Sequence, residues 1–106
     1  MKYLFVLLFL TGCRETKVKY YYDEALLERG RDIYRMSCMH CHGVDPGLGT
    51  MQAPAISGSS YELLQEKVIH GAYPDGYIPK RTTRNMPKFP SLQSELKGLE
   101  RFLNTL

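Results

Sequence analysis

Apolar positions divide the chain into four stretches. Residues 3–10 (YLFVLLFL) are an unbroken apolar run behind one lysine, Lys2, and small residues lead from it to Cys13. Residues 14–22 (RETKVKYYY) are charged and then aromatic, with no apolar period, which predicts a spacer. Within residues 23–42, Leu26, Gly30, Ile33, Tyr34 and Ser37 recur at spacings of three and four, the mark of an amphipathic helix. Asp23 is the expected N-cap, with Glu24 in the first turn. A glycine inside a helix costs about 1 kcal/mol relative to alanine, so Gly30 predicts the close approach of another helix.

The remainder alternates loops and helices. Residues 44–58 are rich in glycine and proline and read as loop. Ser59 and Glu62 have capping-box spacing and predict a short helix running to Ile69, with Gly71 as its C-terminal cap. Residues 72–90 return to loop, with prolines at 74, 79, 87 and 90. Leu92, Leu96, Leu99, Phe102 and Leu103 mark one face of a C-terminal helix. No stretch alternates as a strand does and nothing repeats, so the expected fold is all-α. Loops this long inside a small domain are usually functional, and here they are expected to wrap something.

Length and charge narrow the possibilities. The 106 residues allow one domain with a modest core, which a large prosthetic group or covalent staple would reinforce. A formal net charge of +3 excludes a sustained basic surface for nucleic acid. Eight helical residues rise about 12 Å, far short of the ~30 Å hydrocarbon core, so the run 3–10 cannot span a bilayer. Its charged start, apolar middle and small residues fit a secretion signal. Leu10-Thr11-Gly12-Cys13 resembles the bacterial lipobox, which implies a lipid on Cys13. The expected organisation is a signal peptide at 1–12, a lipidated N-terminus and linker at 13–22, and a domain at 23–106.

The chemistry lies in Cys38-Met39-His40-Cys41-His42, a C-x-x-C-H motif and the attachment signature of c-type haem. Two cysteine sulfurs at this spacing reach the two vinyl groups on one porphyrin edge, and the thioethers carry His42 beneath the ring toward the iron. Attachment occurs outside the cytoplasm, in agreement with the export signal. Two ionised propionates would bring the mature net charge near zero. A thioredoxin-like site expects a βαβ context, and a structural zinc site expects a second spaced ligand pair. Neither is present in the sequence. Soft methionine sulfur opposite the histidine favours Fe(II). Met36 and Met39 lie too near the attachment site to cross the ring, which leaves Met51 and Met86. Met86 stands in a loop stiffened by Pro87 and Pro90, although a methionine filling a core gap is the plainer reading.

Across residues 23–106 the chain resembles the small class I c-type cytochromes. Gly30 and Tyr34 lead into Cys38–Gly43 as a Gly-x-x-x-aromatic pattern leads into CxxCHG in that family. Pro54-Ala55-Ile56-Ser57-Gly58 is similar to its Pro-x-Leu-x-Gly segment, Met86-Pro87-Lys88-Phe89 to its ligand loop, and Phe102 to its C-terminal aromatic. The resemblance implies a cytochrome c fold with Met86 as the distal ligand. It also implies that the Pro54 carbonyl accepts from the His42 ring, and that Gly30 meets Phe102 where the first and last helices cross. The last helix departs from the family in beginning Gln93-Ser94-Glu95.

The functional expectation is a single-electron carrier with one covalent haem c and no small-molecule substrate. It would be membrane-anchored on the extracytoplasmic side and serve a redox partner or a membrane respiratory complex. An enzyme or gas sensor requires an open sixth position, and His70 is the rival to Met86 for that position. His40, between the cysteines, points away from the ring. Lys80, Arg81, Arg84 and Lys88 surround the ligand loop, where they would guide an acidic partner or pair with propionates. Tyr73 and Tyr77 are candidates for the crevice wall.

Overall fold

The computed structural model describes residues 2–83 and 85–106, with side chains from residue 17 onward. The Cys13 side chain and Arg84 therefore lie outside the described residues. Helix α1 spans Lys2–Ser37, and after a break at Cys38 the short α2 spans Met39–His42. Helix α3 is one turn, Tyr61–Leu64, widened into a π-helical turn over Gln65–Ile69. A 3₁₀ segment, Pro90–Glu95, leads into α4, Leu96–Leu103. The described residues contain no strand. The fold is all-α, as expected.

Two local expectations need correction. The stretch 14–22, which carries no apolar period, is helical, because no proline interrupts residues 2–37. For the same reason Asp23 is not an N-cap and lies inside α1. The cap of α3 is Ser60, whose hydroxyl accepts from the Leu63 N–H at 3.1 Å. Ser59 is instead buried and donates to the Ile56 carbonyl at 2.6 Å. Gly71 has a φ of +68° and closes the π-turn, its N–H donating to Lys67 and that of Ala72 to Glu66. Tyr20, Tyr21 and Tyr22 are exposed.

The core forms where α1 crosses α4. Ile33 and Tyr34 from α1 bury against Leu96, Leu99, Phe102 and Leu103. Each fully buried leucine contributes about 2 kcal/mol of apolar transfer. The crossing is closest at a pair of glycines. A Cβ on Gly30 would stand 1.8 Å from the Gly98 carbonyl oxygen. The nearest approach to Gly30 is therefore by Gly98. Phe102 packs one turn further along, its ring centroid 5.5 Å from that of Tyr34 and with the Arg31 guanidinium over it. At the edge of the crossing, Arg29 Nε and Nη2 donate to the two carboxylate oxygens of Glu95, each at 3.0 Å. That contact holds the Glu95 carboxyl below its usual range.

The loops hang from this frame at defined points. The Gly58 N–H donates to the Leu103 carbonyl at 2.8 Å, and Asn104 Nδ2 to the Ser59 carbonyl at 2.8 Å. On the other side, the Phe89 N–H donates to the Val68 carbonyl at 2.7 Å, which ties the segment after Met86 to α3. The space between these loops and the helices is the site.

Candidate haem site

The break between α1 and α2 places the two cysteines. The Cys38 N–H completes α1 by donating to Tyr34 at 2.9 Å, and the His42 N–H then donates back to Cys38 at 3.0 Å. One tight turn therefore carries Cys38, Cys41 and His42. The Tyr34 hydroxyl braces its far end by donating to the Gly43 carbonyl. Burial, then the nearby Cys38 and Asp45, push that hydroxyl up to about 12, so it stays a donor at ordinary pH.

All three motif side chains line one cavity of about 460 Å³. That volume is within the ~300–1,000 Å³ of cofactor and ligand sites. Leu63, Leu64, Val68, Ile56, Phe89 and Leu99 supply apolar wall, and Tyr73 and Tyr77 line it as a stacked pair 5.3 Å apart. Lys67 Nζ sits over the Tyr73 ring at 4.2 Å. Among the described residues no buried side-chain nitrogen or oxygen lacks a hydrogen-bond partner. Such a wall suits a large, flat, mainly apolar group.

The donor chemistry agrees with haem. His42 is buried, and its Nδ1 lies 2.8 Å from the Pro54 carbonyl oxygen. A carbonyl only accepts, so the proton is on Nδ1 and the lone pair is on Nε2, the tautomer that ligates a metal. Cys38 is buried and Cys41 exposed, and neither forms a disulfide. Burial pushes the Cys38 thiol up to about 11, which keeps it a neutral S–H rather than a reactive thiolate. No group of three or more His, Cys, Asp or Glu side chains able to hold a metal ion occurs among the described residues.

The remaining candidates separate by position. Met86 and Met51 both line the cavity, but Met86 is half-buried and packs against the core, whereas Met51 is 99% exposed. His40 and His70 are exposed and are not among the described lining residues. Lys80 and Arg81 line the cavity, but their donors are engaged by main-chain carbonyls of Ala55, Met51 and Thr50. Sequence reasoning passed over two residues. Gly98 carries the same mid-helix glycine signal as Gly30. Thr50, whose hydroxyl donates to the Cys41 carbonyl, carries no sequence signal at all.

A helical frame around an apolar cavity, with two thiols and an oriented imidazole on one turn of its wall, is the construction of a c-type cytochrome. Residues 25–102 match the family model for cytochrome c oxidase, cbb3-type, subunit III, and the chain belongs to that family. No curated protein and no solved structure matches it. Membership makes the chain a haem-based electron-transfer protein with covalently bound haem c.

Proposed function

We propose that this protein is a single-electron carrier in which His42 Nε2 and Met86 sulfur are the axial ligands of one haem c. The carrying observation is that, of the two candidate methionines lining the cavity with Cys38, Cys41 and His42, Met86 is half-buried and packed against the core while Met51 is 99% exposed. When bound, the haem supplies one-electron chemistry between Fe(III) and Fe(II). Cys38 and Cys41 hold it by thioethers. The Pro54 carbonyl orients His42 and strengthens its donation, while Met86 fills the sixth position and favours the reduced state.

The domain, residues 23–106, is held at the extracytoplasmic face by a lipid on Cys13 after removal of residues 1–12. The support for the lipid is the Leu10-Thr11-Gly12-Cys13 segment, and no described helix is long and apolar enough to cross a membrane. An anchored carrier has a short radius of action, and the family's name favours an oxidase complex of the respiratory chain as partner or home.

The test is the absorption spectrum of the exported, haem-attached protein and of Met86→Ala. The expected wild type is low-spin and inert to carbon monoxide, while the variant turns high-spin and binds it. Ready binding by the wild type would instead leave the sixth position open and make the protein a sensor or enzyme.

A further inference from the structure

Contacts from two separate parts of the chain converge on residues 50–55, and Thr50 is their hub. Its hydroxyl donates to the Cys41 carbonyl and accepts from the Gln52 and Ala53 N–H groups, each at 3.1 Å. Its own N–H donates to the Ala53 carbonyl at 2.8 Å. The turn closed in this way delivers Pro54, whose carbonyl takes the His42 Nδ1 proton at 2.8 Å. One side chain thus ties the turn that carries His42 to the residue that orients it.

The second set of contacts comes from the loop that leads to Met86. Arg81 straddles consecutive carbonyls, Nη1 donating to Met51 at 2.9 Å and Nη2 to Thr50 at 2.6 Å. Its neighbour Lys80 reaches the Ala55 carbonyl at 2.7 Å. Two adjacent cations therefore hold the main chain on both sides of Pro54. Among the described residues the ion pairs are Arg29–Glu95 and Arg31–Glu28, so neither cation is engaged by a carboxylate there. A guanidinium fork matches two oxygens at a fixed separation, which a single ammonium does not reproduce.

We propose that Thr50 and Arg81 are positioning residues that hold the His42–Pro54 hydrogen bond and clasp the Met86 loop to the histidine side of the site. The first half concerns only the motif histidine. The second half rests on the reading of Met86 as a ligand. Because one clasp holds both loops, loosening it frees both. The His42 ring N–H then exchanges faster with solvent, and Met86 leaves the iron under milder denaturation.

The experiment uses the haem-attached full chain and measures exchange of the His42 Nδ1 proton by NMR. Thr50→Val and Arg81→Met are expected to speed that exchange about tenfold, the equivalent of one hydrogen bond. Arg81→Lys keeps the charge, loses the fork and is expected to speed it as well, while Thr50→Ser and the remote Arg101→Met stay at the wild-type rate. The absorption band of the sulfur–iron bond is expected to vanish at lower denaturant in Arg81→Met. An unchanged exchange rate in Arg81→Met overturns the clasp. A wild-type rate in Arg81→Lys shows that charge alone matters and overturns the fork. A fast rate in Thr50→Ser overturns the role of the hydroxyl. Haem content and a low-spin spectrum establish that each variant is folded. If Met86→Ala itself stays low-spin, the ligand reading fails, and His42 exchange still tests the clasp.

Discussion

At the α1–α4 crossing the chain packs on itself, backbone to backbone at Gly30 and Gly98, with Tyr34, Leu96, Leu99 and Leu103 at 1% exposure or less. Residues 44–89 are built differently. Outside the α3 turn they are held by hydrogen bonds, such as Gly58 to Leu103, Phe89 to Val68 and the set around Thr50, and several of their apolar side chains face the cavity rather than one another. One half of the molecule completes its own core. The other presents half a core and is completed by the haem. A domain of this size has little stability to spare, so its covalent prosthetic group serves as packing as well as chemistry.

The strongest way to break this comparison is to remove the attachment. Cys38→Ser with Cys41→Ser is expected to abolish covalent haem in the denatured absorption spectrum. In hydrogen exchange, residues 44–89 are expected to lose protection about 100-fold more than the crossing, a difference of ~3 kcal/mol. Equal losses in the two regions would show that the crossing is no more self-sufficient than the loops.

A smaller effect is expected from overfilling the crossing. In Gly30→Ala the new methyl meets the main chain of α4, which cannot step aside, so the helices must part at a cost of about 3 kcal/mol or more. Gly98→Ala is milder, since its Cβ would lie 3.0 Å from the Leu26 carbonyl and helix propensity returns about 1 kcal/mol. Denaturant unfolding of the haem-attached variants measures both. A Gly30→Ala protein as stable as wild type would mean the helices stand further apart than 1.8 Å implies.

The smallest effect tests the joint between the two regions. Tyr34→Phe removes the donation to Gly43 and is expected to cost about 1 kcal/mol. The hydroxyl titrates near 12 when folded against an ordinary 10.0, so folding favours its protonated form. Its contribution is therefore full below pH 10.0 and is lost as pH rises through about 12. Stability measured against pH should fall across that window in the wild type, and less so in the phenylalanine variant.

Much of this was legible along the chain. The three-and-four spacing of Leu26, Gly30, Ile33 and Tyr34 marked α1, and Leu96, Leu99, Phe102 and Leu103 marked α4, because a helix has only one face to bury. The motif residues Cys38, Cys41 and His42 were legible because their spacing is chemistry carried by one turn. The contact between Pro54 and His42, twelve residues apart, came only through resemblance, and the geometry now gives it a distance. The helical state of residues 14–22 escaped because periodicity reports burial, and residues 17–22 are helical while exposed.

The sequence by itself determined the helical class, the apolar faces and the haem-bearing turn, since each depends on residues that are neighbours in the chain. The tertiary structure decided which glycine meets Gly30, which methionine packs against the core, and where the donors of Thr50, Lys80 and Arg81 go. Most of those pairings join segments tens of residues apart. They depend on shape and on main-chain carbonyls, which every residue carries, so side-chain identity can suggest a candidate such as Gly98 but does not name its partner.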